Sequence, residues 1–186
     1  MIAVASHGGG IVNQIFLGST TTDIIRTSPI PVLVEKYKDV DKATCCPISQ
    51  NKFKKVLLPL DFSAYSEKVL DQIINASDFI EEVILLSVVE GAHNDEALHK
   101  AIHEKEQKLE AAKEDLLKLG LMVKTMVRQG AASANIAEVA EQENATLIVM
   151  ATRGEGLIKE LLLGSTAHSV ARRSNRPLLL IPSPRS

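Results

Sequence analysis

Apolar residues fall along this chain in short runs, separated by stretches in which they recur every three or four positions. The runs are Met1–Ala5, Val32–Val34, the segment opened by Lys54-Lys55 in VLLPLDFS, Val83–Val89, Leu121–Val127, Leu147–Ala151 and Leu178–Ile181. They read as strands, and VILLSVV at 83–89 is apolar throughout, as a strand covered on both faces should be. After Ser63, a natural N-cap, Val69, Leu70, Ile73 and Ile74 form a helical stripe. A long charged helix is predicted over about Asn94–Leu119, closed by Gly120. Another starts at Ser133 or Ala134, with Ile136, Val139 and Ala140 facing inward, and a last one follows Ser165. Strands alternating with helices in this rhythm predict an α/β fold with an open, doubly wound parallel sheet.

Residues 1–36 read strand, loop, helix, strand, and this pattern returns at the other end of the chain. Shifted by 146 positions, Ala5 falls on Ala151, Gly8 on Gly154, Gly10 on Gly156, and Leu17-Gly18-Ser19-Thr20 on Leu163-Gly164-Ser165-Thr166. Arg26, Ser28, Pro31 and Leu33 fall on Arg172, Ser174, Pro177 and Leu179. Twelve identities in the first 34 positions, in one ungapped register, are those of an internal repeat. The first copy opens in the middle of what would be a core strand. The expected organisation is therefore a partial copy at 1–36, a polar linker at 37–52 and a complete domain at 53–186. Either the chain starts inside a longer tandem gene, which is the reading preferred here, or a fragment has been retained.

A length of 186 residues suits one ordinary domain plus an extra piece. Aromatic residues make up 3% and Trp is absent, which speaks against stacking platforms for single-stranded nucleic acid. A net charge of −2 offers no electrostatic reason to expect DNA or an acidic membrane as partner. No apolar stretch is long enough to span a bilayer, and the N-terminus lacks the basic region of a signal peptide. Cys45 and Cys46 are adjacent and match no zinc or redox spacing. A cytoplasmic location is the expectation.

The candidate chemistry lies at the carboxyl ends of the strands, where open parallel sheets bind ligands. The run MATRGEGLIKELLLGS, Met150–Ser165, passes from a strand into a glycine loop and ends in Gly164-Ser165 followed by Thr166. Backbone N–H groups there can cradle an anion, most readily a phosphate. It is neither a Walker A loop nor the dinucleotide fingerprint, and no Lys follows the glycine, so binding is easier to argue than phosphoryl transfer. Asp61, at a strand end, either accepts a ribose hydroxyl or helps hold a cation, or else caps the next helix. His99 and His103 have metal-compatible spacing on a helix whose charge suits a solvated surface. His7 and His168 either approach the glycine loops or are ordinary polar surface.

These residues resemble the universal stress protein (UspA) family. Its nucleotide-binding members carry G-x2-G-x9-G-[ST], and this chain has A-x2-G-x9-G-S at Ala151, Gly154, Gly164 and Ser165, repeated at Ala5, Gly8, Gly18 and Ser19. VLLPLDFS and VILLSVVE are similar to the family's first and second strands. The resemblance implies a Rossmann-like, adenine nucleotide alpha hydrolase-like domain with a five-stranded parallel sheet of order 3-2-1-4-5. It implies ATP or AMP binding, with or without Mg²⁺, and a regulatory or sensing role in stress response. Carried over by position, Pro59, Leu60 and Asp61 would touch the nucleoside, with Asp61 on the ribose. Val88 and Met150 would line the adenine, and Ala151, Arg153, Gly154, Gly164, Ser165 and Thr166 would surround ribose and phosphates. The alanine in place of the first glycine would crowd the ligand, or be harmless if its φ is negative.

The family also pairs protomers through the last strand. The resemblance thus implies a homodimer, or an intramolecular pseudo-dimer in which Pro31–Glu35 pairs with Pro177–Pro182. A nucleotide-free interaction module and a slow ATPase are the competing functions. Only one complete pocket is expected, because the first copy lacks its Asp-bearing strand.

Overall fold

The computed structural model describes residues 1–6, 17–38, 46–47, 49, 51–91, 94–154 and 163–183. In chain order the elements are β1 (Ile2–Ser6), α1 (Ser19–Thr27), β2 (Val32–Lys38), β3 (Cys46–Pro47), β4 (Lys55–Pro59), α2 (Ala64–Asn75) and β5 (Glu82–Val89). There follow α3 (Asp95–Lys118), β6 (Met122–Gln129), α4 (Ala132–Gln142), β7 (Leu147–Ala151), α5 (Ser165–Arg173) and β8 (Leu178–Ile181).

Local chemistry accounts for the boundaries. The Ser63 hydroxyl accepts from the Ser66 N–H and starts α2. The Asn94 side chain accepts from the Ala97 N–H at 2.8 Å and starts α3, whose acidic first turn and terminal Lys118 suit its dipole. Past the end of α3, Gly120 takes φ 81°, a conformation that costs glycine no Cβ clash.

One sheet runs in the order β1-β2-β8-β7-β4-β5-β6, with β3 pairing off β2. The segment β6-β5-β4-β7-β8 is parallel throughout and is the 3-2-1-4-5 arrangement of the complete domain. The expected five strands are thus part of a longer sheet. Its extension is made by the N-terminal segment: β2 pairs antiparallel with β8, placing Val32, Leu33 and Val34 opposite Leu180, Leu179 and Leu178. β1 then pairs parallel with β2 and forms the outer edge.

The polar stretch 37–52 departs from a plain linker. Tyr37 and Lys38 continue β2 and pair with Pro47 and Cys46. Strand pairing uses the backbone, so a polar sequence does not prevent it. Within the same stretch Lys52 reaches back to Glu35 at 3.1 Å. Cys45 and residues 7–16, including His7 and Gly8, lie outside the described residues.

Helices cover both faces. Ile25 of α1 joins Ile136, Val139 and Ala140 of α4 and Ala167, Val170 and Ala171 of α5 on one face. On the other, Val69 and Ile73 of α2 pack with Leu109, Ala112 and Leu116 of α3. Leu70 and Ile74 of the α2 stripe are partly buried against that second cluster.

The N-terminal and C-terminal strand–helix–strand units match in detail. The bounds of α1 and α5 differ by the repeat offset, and both helices start from a glycine in extended backbone, Gly18 (φ −60°) and Gly164 (φ −69°). The Ile2 N–H donates to Pro31 O at 2.8 Å, and the Ile148 N–H to Pro177 O at 2.9 Å. Ser28 and Ser174 each close their helix, accepting from the N–H two residues on, of Ile30 and Arg176 respectively.

Lys36 is the outlier at the seam between the two units. It is 1% exposed, and its Nζ donates to Ala171 O at 2.7 Å. That carbonyl belongs to the last turn of α5, which has no intrahelical partner for it. Burial lowers the Lys36 ammonium from its usual range to about 8.

Candidate functional site

The carboxyl ends of β4, β5 and β7 open into a cavity of about 560 Å³. Every residue carried over from the sequence lines it: Pro59, Leu60, Asp61, Val88, Met150, Ala151, Arg153, Gly154, Gly164, Ser165 and Thr166. They come from three strand ends and one helix start, far apart in sequence. The sheet order makes them neighbours, because β4 lies between β5 and β7.

The cavity has an apolar side and a polar side. Val88 and Met150 stand with Leu86 and Ile136 on the face covered by α4 and α5. Beside this apolar wall, the first turn of α5 begins at Gly164 with no side-chain cap and no acidic residue. Gly164 itself offers no side-chain acceptor to the leading N–H groups of this helix. Helix polarity adds a partial positive charge at this end, and Arg153 adds a full one. The arrangement suits a ligand that is flat and apolar at one end and anionic at the other.

Asp61 sits between these sides. Its Oδ1 accepts from the Ser63 N–H at 3.0 Å and the Ser63 hydroxyl at 2.7 Å. The carboxylate thus supports the start of α2, the structural role weighed above, while Oδ2 is turned to the glycine loop. A Cβ built on Gly154 would overlap Oδ2. Glycine is required here for space rather than for a turn. The positive-φ glycines among the described residues are Gly91, Gly120 and Gly130, so Gly154 and Gly164 are not among them.

Ala151 closes β7 in register with Ile181, and its φ is not positive. Alanine in place of the family's first glycine therefore strains no backbone. Phe62 differs: at φ 63° it holds the left-handed region, which costs a bulky residue about 1–3 kcal/mol.

The cavity also contains residues that sequence reasoning missed. Ala101 and Lys105 come from α3, four apart and so on one helix face. The first buried residue of α3 is Leu109, so its opening turns stand clear of the core and wall the cavity. Their periodicity was hidden in a run of Glu and Lys. Glu90 follows β5, and its Oε1 accepts from the Ala132 N–H at 2.6 Å, capping α4. That helix starts from Ala131, which has no side-chain acceptor of its own.

His99 and His103 are exposed, and His103 lies 2.9 Å from the Gln107 side-chain nitrogen. Among the described residues no group of three or more His, Cys, Asp or Glu side chains is placed to hold a metal ion. His168, inside α5, is not among the lining residues. No described helix is long and apolar enough to cross a membrane.

Comparison with known proteins agrees with this geometry. Universal stress protein MJ0577 of Methanocaldococcus jannaschii is 29% identical over 153 residues, spanning 69% of this chain and 94% of that protein. The solved structure of MJ0577 superposes with a TM-score of 0.68 at 32% identity, covering 73% of this chain and 99% of that one. A universal stress protein from Archaeoglobus fulgidus covers 97% of this chain and 60% of its own length, at TM-score 0.64 and 25% identity. A universal stress protein solved in complex with cAMP, 22% identical over 72% of this chain and 99% of its own, shares the fold at TM-score 0.55. The family model described as "Universal stress protein family" matches residues 52–182, which span every strand and helix that borders the cavity. The chain belongs to the universal stress protein family.

Proposed function

We propose that the cavity binds ATP or AMP and that the protein is a cytoplasmic sensor or regulator in stress response. One observation carries the reading: all eleven residues matched to the family's nucleotide site line one cavity, with Gly154 closed against Asp61. In this reading adenine lies against Val88 and Met150, with Pro59 and Leu60 at the nucleoside. The ribose hydroxyls meet Asp61, and the phosphates meet Ala151, Arg153, Gly154, Gly164, Ser165 and Thr166. The positive φ-free backbone at Ala151 supports it, since the methyl brings no strain. Mg²⁺ would arrive with the phosphates. No Lys follows the glycine in Gly164-Ser165, which favours binding over turnover.

Isothermal calorimetry with ATP and with AMP, with and without Mg²⁺, tests this directly. Saturable binding with a 1:1 stoichiometry is expected. Absence of heat at millimolar nucleotide would sink it. Phosphate release that falls in Asp61→Ala would replace it with the ATPase reading.

We further read residues 1–36 as the C-terminal third of a second copy. The matching caps, helix bounds and strand register support this, as does the Archaeoglobus fulgidus relative that covers nearly all of this chain. The β2–β8 ladder is then the in-chain counterpart of a dimer seam. That seam also favours a second function, a nucleotide-free interaction module. If Ala151→Gly bound ATP and the parent did not, the module reading would prevail for the natural chain.

A further inference from the structure

The turn that carries Asp61 is held from outside by α3. Leu60, just before the aspartate, accepts a hydrogen bond on its carbonyl from the buried Ser87 hydroxyl at 2.7 Å. That hydroxyl in turn accepts from Lys105 Nζ at 3.2 Å. Phe62, just after the aspartate, sits in the left-handed region at φ 63°. The ammonium groups of Lys105 and Lys108 lie 5.6 and 5.2 Å from the centre of its ring. Cations at such distances are attracted to a ring face. Both neighbours of Asp61 are thus tied to one helix face, and the residue in the unfavourable backbone conformation is the one that two lysines cover.

A strained residue persists only where its surroundings over-determine it, and such residues gather at ligand sites. Without the clamp, Phe62 would be free to relax to negative φ. That relaxation would rotate the adjoining peptide and carry the Asp61 carboxylate away from Gly154. We propose that Lys105 is a positioning residue that, through Ser87 and Phe62, aims the Asp61 carboxylate at the ribose hydroxyls of the bound nucleotide. The proposal rests on the reading of Asp61 as the ribose contact. It gives the charged helix α3 a role in the site that its sequence pattern does not advertise.

The test compares ATP with 2′,3′-dideoxy-ATP, which lacks the hydroxyls that Asp61 would take. A charged hydrogen bond lost from a binding site typically weakens affinity by about tenfold or more, so the parent should prefer ATP by about that factor. Lys105→Met keeps the apolar stem and removes the charge. It is expected to weaken ATP about tenfold, leave dideoxy-ATP nearly unchanged, and bring the ratio close to one. Lys105→Arg should retain the preference, and Lys105→Met should add nothing in an Asp61→Ala background. An equal loss for both nucleotides, or an effect that survives in Asp61→Ala, would overturn the clamp alone. A parent that binds both nucleotides equally would overturn the ribose role of Asp61, and the clamp's purpose with it. Should Lys105→Met fold poorly, Ser87→Ala gives the same decision, since it removes the hydroxyl that links Lys105 to the Leu60 carbonyl.

Discussion

The N-terminal and C-terminal strand–helix–strand units share caps, register and helix bounds, yet their surroundings differ. Leu147 and Ile148 of β7 are 0% exposed because β4 lies alongside, whereas the corresponding Met1, just before β1, and Ile2, its first residue, are 67% and 36% exposed at the sheet edge. The glycine loop of the C-terminal unit closes on Asp61, while among the described residues no counterpart of β4 flanks β1. Near-identical local structure thus coexists with very different burial. The lesson is that caps and turns reproduce a supersecondary unit, but a site needs the neighbouring strand.

What joins the units is the β2–β8 seam, and the largest expected effect lies there. Val34→Asp would bury a carboxylate opposite Leu178, at a cost of about 4 kcal/mol. Amide exchange should accelerate across β1 and β2 while β7 and β4 stay protected. If β7 exchanged equally fast, the two units would be one cooperative body and the contrast drawn above would fail.

A second effect comes from Lys36, which stands where the other unit has Pro182. Its folded value of about 8 lies below the ordinary 10.5, so the folded state binds fewer protons between those values. Stability should therefore rise as pH increases from about 8 to 10.5, by about 3 kcal/mol in total. Below pH 8 the burial cost is present in full. Lys36→Met should abolish this rise and match or exceed the parent at pH 7 in denaturant melts. A parallel rise in the variant would show that another group is responsible.

Gly154→Ala sharpens the site half of the comparison. Its methyl displaces the Asp61 carboxylate, so ATP affinity should fall by about tenfold to a hundredfold, roughly 1.5–3 kcal/mol, with the fold retained. Unchanged calorimetric affinity would remove Asp61 from the ligand. The smallest effect is expected at Ala151→Gly. Thermal melts should register a loss of about 0.5–1 kcal/mol from added chain entropy in a strand, with nucleotide affinity little altered. A large gain in affinity would mean that the methyl obstructs the ligand after all.

Much of the fold was legible because its signals are local. Leu147–Ala151 and Leu178–Ile181 appear as strands with the bounds read from their apolar runs, and Ser63 and Gly120 act as the start and stop signals they look like. The candidate site was legible for a different reason: the glycine pattern and the Pro-Leu-Asp turn sit at strand ends, where parallel topology gathers ligand groups. Tyr37 and Lys38 were misjudged because backbone pairing with Cys46-Pro47 leaves no mark on side-chain polarity.

By itself the sequence determined the alternation of strands and helices, the repeat, and which eleven residues should converge. The first two follow from periodicity, capping chemistry and residue spacing, and the eleven residues from the family resemblance that the glycine motif carries. Only the tertiary structure decided that β2 seats against β8, that Lys36 is buried at that seam, and that Lys105 reaches the Asp61 turn. Each of those depends on which surfaces of distant elements meet. Packing of that kind is governed by the whole sheet, and no short stretch of residues encodes it.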